Sequence, residues 1–282
     1  MKPLAATSQA LIIKHTPSQI TISRAQSAWP LLVQNAEPNL RPYIHPIIAP
    51  DGNGTMTENA PPHHPWQHGL YVGLNDVSGV GYWVEGPQDG TFHPRPLQAP
   101  EVEGTQCRWS VTSEWRAPSG RVQLEETQNW TLNDRGADYE LDVEWSLTAR
   151  EDLLFGASAY GGLFIRMPFV SGGTVLTSEG HSSPAEAEAR RARWVAIAMP
   201  LPDRLHADPI AGVAMMDHPG NPEHPTPWRV DEQLGIAPSR SILGPWTLPA
   251  GEVTTSRYRL FIHTAASDLA SIEASWSRFV QG

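Results

Sequence analysis

Three neighbouring segments of the chain alternate polar and apolar residues with a period of two, and this pattern restricts the fold more than any other feature. The segments are 108–115, 122–132 and 139–147, and they are separated by the turn-forming sequences Ala-Pro-Ser-Gly (117–120) and Asn-Asp-Arg-Gly (133–136). Strict alternation is typical of strands that bury one face, and short turns join such strands into hairpins. The three segments therefore predict an antiparallel meander.

Shorter segments of β character recur along the rest of the chain. They cover residues 18–24, 30–34, 69–73, 161–167, 192–199, 211–216 and 253–263. A regular succession of strands and turns favours a sandwich over alternating βαβ units. Because no linker, charge block or repeat divides the sequence, residues 1–282 are predicted to form a single all-β domain, a large antiparallel β-sandwich.

Helical periodicity is found in two short segments. Apolar residues recur at steps of three and four over residues 269–279, and Ser267 is the predicted N-cap. The segment 184–191 begins with proline and is rich in alanine and glutamate, which favour a helix. We therefore expect a short C-terminal helix and a second helical segment before residue 192.

The composition excludes several classes of protein. Cys107 is the single cysteine, which rules out an intramolecular disulfide framework and a cysteine-ligated cluster, and its place in an alternating strand predicts a structural role. The formal net charge of -10 argues against nucleic acid or an anionic membrane as partner. No apolar run approaches the roughly 20 residues of a membrane span, and Met1–His15 lacks the apolar core of a secretory leader. We expect a cytoplasmic protein.

The 11 histidines concentrate in turn-rich segments that also contain arginine and aromatic residues. These segments are 41–46, 63–69 and 216–228. A further group lies on the predicted strand 253–263, where Arg259 and His263 share one face. Loops carried by a rigid sheet are the usual positions of binding and catalytic residues. The histidine segments are therefore the predicted site.

Two kinds of chemistry fit these residues. Tryptophan faces bordered by His, Arg and Asn suit a sugar, and a neutral histidine moves protons near pH 7. A transition-metal site is the other, with His45, His64, His68 and His263 as ligands. His64 and His68 have the spacing of a helical zinc motif, but Pro65 replaces its glutamate. Serine-nucleophile, Rossmann and phosphate-loop signatures are absent.

The 11 tryptophans divide into two groups by their surroundings in the sequence. Those on the alternating strands are expected in the core: Trp109, Trp115, Trp130 and Trp145. Those beside the histidine segments are expected to stack on a sugar: Trp66, Trp83 and Trp228. The carbohydrate hypothesis therefore needs only part of the tryptophan content.

Seven motifs in this order make the chain resemble a bacterial family named "methane oxygenase PmoA". They lie at 41–46 (Arg-Pro-Tyr-Ile-His-Pro), 64–70 (His-Pro-Trp-Gln-His-Gly-Leu), 75–83, 161–168, 193–195, 217–228 and 258–263. Many family members have an acidic residue before the first His-Pro pair and a further histidine nearby. This chain has His63 and Trp66 or Gln67 at those places, so a site that needs three clustered histidines there is not expected.

The resemblance implies a fold similar to the galactose mutarotase-like supersandwich, in which Arg and His residues hold a sugar and a carboxylate acts as base. Family members are often encoded beside sugar dehydrogenases and other carbohydrate enzymes. The methane monooxygenase subunit of that name is an integral membrane protein, and this chain has no segment that spans a bilayer. Methane oxidation is therefore not expected.

The leading hypothesis is a carbohydrate-active enzyme that transfers protons at a sugar or keto-sugar, as an epimerase or a lyase. The catalytic candidates are His64, His68, His218 and His263. The substrate-binding candidates are Arg41, His45, Trp66, Trp83, Arg166, Trp228 and Arg259. This hypothesis assigns no metal or other cofactor and takes a small carbohydrate as partner, and the oligomeric state stays open. The alternatives are a non-catalytic sugar-binding module and a histidine-ligated, metal-dependent oxygenase or hydrolase.

Overall fold

The three alternating segments are adjacent antiparallel strands in a computed structural model of the chain, which describes residues 10–281. Strands run over 106–116, 122–134 and 139–149, so the predicted meander is confirmed. Residues 1–9, which make up most of the segment Met1–His15 in which a secretory leader was not expected, lie outside the described residues.

Within residues 10–281 the strands number twenty and are named in chain order. They are β1 (Leu11–Thr16), β2 (Gln19–Arg24), β3 (Pro30–Asn35), β4 (Tyr43–Ile47), β5 (Leu70–Val77), β6 (Val80–Tyr82), β7 (Thr91–Pro94), β8 (Glu101–Glu103), β9 (Gln106–Arg116), β10 (Val122–Asp134), β11 (Tyr139–Ala149), β12 (Leu153–Phe155), β13 (Gly161–Ile165), β14 (Thr174–Thr177), β15 (Trp194–Pro200), β16 (Ile210–Asp217), β17 (Trp228–Val230), β18 (Ile236–Pro238), β19 (Trp246–Leu248) and β20 (Val253–Thr264). Every predicted strand segment overlaps one of them.

The strands form two sheets, and their pairings are antiparallel. Sheet I has the order β1-β2-β3-β4-β5-β13-β18-β17, with β6 and β12 also paired to β5 and β19 paired to β12. Sheet II has the order β14-β15-β16-β20-β11-β10-β9-β7, with β8 paired to β9. The prediction of a large antiparallel β-sandwich is therefore confirmed.

The inner faces of the two sheets share one apolar core. Alternate residues of both sheets enter it, for example Val72 and Leu163 from sheet I and Leu141 from sheet II. The four tryptophans predicted in the core are all buried there: Trp109, Trp115, Trp130 and Trp145. Since a buried indole N–H needs an acceptor, this core also contains polar side chains.

Glu126 is the central acceptor for these indoles. Its carboxylate accepts hydrogen bonds from Trp115 Nε1 at 3.1 Å and from Trp145 Nε1 at 2.9 Å, and the Gln128 amide donates to it at 2.8 Å. Burial raises the pKa of Glu126, although the three hydrogen bonds act in the opposite direction. The buried tryptophans of the meander thus require polar side chains within its core.

Both predicted helical segments contain a helix. Helix α1 is the single turn Pro184–Ala187, shorter than the predicted 184–191, because the backbone leaves the helical conformation at the C-cap Glu188, where ψ is 129°. Helix α2 is Leu269–Phe279, and its apolar side packs on the outer face of sheet II. A 3₁₀ turn covers Arg240–Leu243.

The N-cap prediction for α2 was wrong by one residue. Asp268, not Ser267, precedes the first helical residue, and its carboxylate accepts the Ser271 backbone N–H at 3.1 Å. Asp and Ser are equally good N-caps, so sequence preference alone did not separate the two neighbours.

Side-chain alternation determines which residues face away from the core of sheet I. Ile44, Val72 and Leu163 point inward, so Tyr71 and Phe164 lie on the outer face. The outer face of sheet II is covered by α2 instead. Among residues 10–281, no helix has the length and apolarity required to cross a membrane.

The two adjacent leucines of β12 test this assignment of faces. Leu153 is 2% exposed and belongs to the core, whereas Leu154 is 52% exposed. We expect Leu153→Ala to lower the free energy of unfolding by about 2–5 kcal/mol, because it removes buried methyl groups and leaves a cavity. Leu154→Ala is the matched control, with an expected change within about 0.5 kcal/mol. Equal losses in urea denaturation would contradict the assignment.

Candidate functional site

An aromatic cluster covers the outer face of sheet I. Tyr71, Trp83 and Phe164 form its buried centre, with ring centroids 5.4–5.5 Å apart. Tyr43, Trp66 and Tyr160 are partly buried at its margin. The Tyr71 hydroxyl is buried without a hydrogen-bond partner, and burial raises its pKa.

Arg41 lies beneath this cluster and is 2% exposed. Its guanidinium is 4.7 Å from the Tyr71 ring centre and donates hydrogen bonds to the carbonyls of Tyr82 at 3.2 Å and Trp83 at 2.8 Å. The Glu85 carboxylate is 3.3 Å from its Nε. Arg41 therefore holds the segment 82–85 against the sheet, while its buried Nε lies beside the Glu85 carboxylate without a hydrogen bond.

Arg166 follows β13 and is 1% exposed. It donates to the Glu58 carboxylate at 2.8 Å and to the Gln67 side-chain oxygen at 2.9 Å. Its other terminal nitrogen contacts His63 Nε2 at 2.8 Å and the side-chain oxygen of Gln233. Arg166 thereby ties the loop before β5 to the turn between β17 and β18.

A cavity of about 440 Å³ opens beside Arg166 on the outer side of sheet I. It is lined by aromatic, cationic, anionic and amide side chains: His64, Gln67, Tyr160, Arg166, Glu188, Arg229, Asp231, Glu232 and Gln233, together with Pro184, Ala185 and Val230. Its volume lies within the range of about 300–1,000 Å³ that is typical of small-molecule pockets. We call it the sheet I cavity.

The loop that carries His64 is short and tightly bonded. Asn59 and His68 pair in an isolated β-bridge that closes it, and the backbone N–H of His64 donates to the carbonyl of Pro61 at 2.9 Å. The prolines of this segment restrict its backbone further. These constraints hold the imidazole at the wall of the cavity.

The His64 ring has an unused nitrogen. Nδ1 is buried and has no hydrogen-bond partner, and the ring packs edge-on against His63 and Trp66, with centroids 4.8 and 5.3 Å away. Burial and the positive charge of Arg166 lower the pKa of His64 below its ordinary value. The imidazole is therefore neutral near pH 7.

Arg229 forms the other polar wall of the cavity. It donates to the Glu188 carboxylate at 2.7 Å and to the Tyr160 hydroxyl at 2.9 Å, and its guanidinium stacks on the Tyr160 ring. Its Nε is buried without an acceptor. Two lining residues, His64 and Arg229, thus each keep a polar atom that no protein group satisfies.

His68 and His45 lie on the same face of sheet I but do not line the cavity. His68 stacks on Tyr43, and its Nδ1 is 2.8 Å from the Asn59 side-chain oxygen and its Nε2 3.5 Å from Glu85. His45 Nδ1 is 2.9 Å from the Thr57 hydroxyl. Burial opposes ionisation of Glu85, but the His68 hydrogen bond and the charge of Arg41 lower its pKa.

Three predicted site residues lie on the opposite face of the molecule, with α2. Arg259 donates to Asp142 through two nitrogens, at 2.6 and 2.8 Å, and to the Ser275 carbonyl in α2. The His263 ring stacks on Phe261, and the His218 ring contacts Phe279 of α2. Since sheet II separates them from the sheet I cavity, His218, His263 and Arg259 cannot act in the same site as His64.

Trp228 cannot serve as the predicted stacking platform either. It is 0% exposed, belongs to the core between the sheets, and donates its indole N–H to the Ala192 carbonyl at 2.8 Å. Trp83 is also buried, at 3% exposure, whereas Trp66 remains partly exposed beside His64. Of the three predicted platforms, Trp66 alone has both access and the right position.

The metal hypothesis required His45, His64, His68 and His263 in one place. His263 lies on the far side of sheet II, and among residues 10–281 no group of three His, Cys, Asp or Glu side chains is arranged to hold a metal ion. The histidines that share a face bond instead to neutral or acidic side chains, such as Asn59, Thr57 and Glu85.

Several residues of the cavity were not singled out in the sequence. They are Tyr160, Glu188, Arg229, Asp231 and Gln233. Glu188 and Arg229 resemble ordinary surface residues in the sequence, and their pairing across 41 positions becomes visible only in the fold. The one local feature that could have indicated part of the cavity wall is the turn 231–235. In this turn the Asp231 carboxylate accepts the backbone N–H groups of Gln233 and Gly235.

Solved structures similar to this chain match most of its length at low identity. A galactose mutarotase related enzyme from Lactobacillus acidophilus is 10% identical with a TM-score of 0.36, over 92% of this chain and 99% of that one. A putative aldose 1-epimerase from Escherichia coli K12 is 15% identical with a TM-score of 0.39, over 90% and 100%. An alpha-galactosidase from Lactobacillus brevis is 10% identical with a TM-score of 0.46, over 96% of this chain but 42% of that enzyme. These similarities concern the fold only.

Comparison of the sequence with curated proteins and with family models gives one match. No curated protein matches the chain. A family model matches residues 32–277, which include every residue that lines the sheet I cavity. Its description names no activity, and the resemblance to the PmoA-named family stays a prediction. The chain belongs to the family of unknown function DUF6807.

Proposed function

We propose that the protein is a carbohydrate-active enzyme that binds a small sugar or keto-sugar in the sheet I cavity and transfers a proton at it, in an epimerisation or an elimination. The observation that carries this proposal is His64, a neutral imidazole at the cavity wall with a buried Nδ1 that no protein group satisfies. A neutral histidine close to its titration range is an efficient general base near pH 7.

The lining of the cavity supports a polyhydroxylated ligand. Sugars present apolar C–H faces and a rim of hydroxyl groups, and the partly exposed indole of Trp66, beside His64, offers an aromatic surface for such an apolar face. The rim would meet Glu188, Asp231 and Arg229, which supply both acceptors and donors. Two guanidinium groups and three carboxylates line the cavity, so the charges largely balance and a neutral sugar suits it.

In the proposed reaction, the His64 imidazole accepts a proton from the carbon next to a sugar carbonyl. The electron pair of the broken C–H bond forms a double bond to the carbonyl carbon, and the π pair of the carbonyl moves onto its oxygen. The guanidinium of Arg229, which lines the cavity, stabilises the resulting oxyanion. A proton from solvent, added to the opposite face of the carbon as the enolate collapses, gives the epimer and leaves the imidazolium of His64 to return its proton to water. In the elimination, collapse of the enolate expels the hydroxyl of the next carbon, which takes the proton from the His64 imidazolium and leaves as water.

Exchange of substrate hydrogen with solvent tests this role of His64. We expect the protein to incorporate deuterium from D₂O at one carbon of an accepted sugar, followed by proton NMR over a panel of aldoses, ketoses and keto-sugars. His64→Ala should slow the exchange by about 10²–10⁴-fold, the usual contribution of a general base. Sugar binding should weaken far less, because the other lining residues remain.

His206→Ala is the matched control, because His206 is exposed and remote from the cavity lining. It should exchange like the unchanged protein. Saturable sugar binding without exchange would contradict the proposed enzyme and support the alternative of a non-catalytic sugar-binding module. Exchange that survives in His64→Ala would contradict the assignment of the base.

The pH dependence of the exchange provides a second test. A base acts only when it is unprotonated, so the rate should fall as the pH drops through the pKa of His64. Because burial and Arg166 lower that pKa, the midpoint should lie below the ordinary histidine value of about 6.5. A profile of kcat/KM against pH measures it, and a midpoint at or above that value would contradict the environment described for the imidazole.

A further inference from the structure

We propose a second ligand site, for an oxyanion, in a groove at the end of the sandwich. The groove has a volume of about 400 Å³ and is lined by Arg191, Glu223, Arg240, Trp246 and the turn 243–245. We call it the Arg240 groove. It shares no lining residue with the sheet I cavity, so this proposal does not depend on the proposed function.

Arg240 is the central residue of this groove. Its guanidinium stacks on the Trp246 ring, with 4.3 Å between its central carbon and the ring centre. Trp246 is itself fixed from its other side by Phe155, whose ring is parallel to it at a centroid distance of 3.7 Å. A guanidinium stacked by its face keeps its N–H donors in the plane, directed sideways. This stack therefore holds the donors in one orientation.

These donors are unused by the protein. Within the described part of the chain, residues 10–281, the Arg240 guanidinium makes no hydrogen bond or ion pair, although Arg240 is half-buried, and Glu223 is the carboxylate whose charge acts on it from a longer distance. The other partly buried arginines behave differently: Arg229 and Arg193 each donate to a carboxylate at 2.7–3.2 Å. A half-buried cation without an acceptor is a ready site for an anionic group.

A second donor lies beside the first. The Nε1 of Trp246 is buried and has no acceptor, and the indole forms a wall common to the groove and to a smaller cavity of about 40 Å³. Arg191 adds a second guanidinium, which is held by the carbonyls of Glu223 and Pro225 at 2.7 and 2.8 Å. The groove thus combines two fixed cations with an apolar indole.

Glu223 is the one carboxylate among the lining residues, and it opposes an anion. Its Oε2 is 3.9 Å from a terminal nitrogen of Arg191, and its side chain is 46% exposed. A bound oxyanion must therefore displace or tolerate this carboxylate. The ligand class that fits is a phosphate or carboxylate group, with the rest of the molecule extending over the indole.

The indole N–H signal of Trp246 in two-dimensional NMR of the full chain is a local probe for this site, and it can be assigned from its loss in Trp246→Phe. We expect a saturable shift on titration with inorganic phosphate, with glucuronate, or with both, and no saturable shift with glucose or with chloride at equal ionic strength. A response to phosphate alone identifies a phosphate-bearing ligand, and a response to glucuronate alone identifies a sugar carboxylate. Absence of a saturable shift with either anion would overturn the proposal.

Substitutions separate binding from folding. Arg240→Ala should weaken the affinity at least about tenfold, the effect of losing one charge-assisted hydrogen bond. Arg95→Ala is the matched control, because Arg95 is 63% exposed and remote from the groove, and it should leave the affinity unchanged. Glu223→Gln leaves the Arg240–Trp246 stack intact and should tighten binding by removing the competing charge. Equal affinities in Arg240→Ala and the unchanged chain, or weaker binding in Glu223→Gln, would overturn the assignment.

Discussion

A guanidinium group removed from water needs hydrogen-bond acceptors and a counter-charge, and the outer face of sheet I is organised around two such groups. Arg41 binds the carbonyls of Tyr82 and Trp83, and Arg166 binds the side chains of Glu58 and Gln67. Leaving these cations unpaired would cost several kcal/mol each. The loops around them must therefore adopt the conformation that supplies the acceptors, and this conformation brings His64 to the cavity wall.

The sequence predicted the parts of the structure that depend on local pattern. Period-two alternation located the meander and the burial of Trp109 and Trp130, because a strand that packs on one side has to alternate. The clustering of His64 with other histidines and turn residues likewise predicted that a site lies on loops. Strands such as β8 and β17 were missed because three residues carry too little periodicity to be recognised.

The remainder of the site depends on which sheet a segment joins, and spacing along the chain does not encode that. Arg259 and His263 do share a strand face, as predicted, but that face lies beneath α2. Trp228 follows a histidine-rich loop, yet its strand carries it into the core. Conversely, Arg229 directly follows Trp228 and, by alternation, points to the cavity. A shift of one residue along β17 thus separates a core position from a binding position.

The two buried arginines differ in what they demand of the residues around them. The hydrogen bonds of Arg41 go to backbone carbonyls, which every amino acid provides, so they do not depend on the side chains at positions 66, 82 and 83, and Glu85 is the one side chain in its ion pair. Arg166 depends on particular side chains, so positions 58, 67 and 233 are tied to it and to one another. Residues near Trp66 can consequently change one at a time, which allows this side of the cavity to adapt to a different ligand. Near Gln67, a substitution at position 58, 67 or 233 requires compensating changes at the other two, because all three bind Arg166.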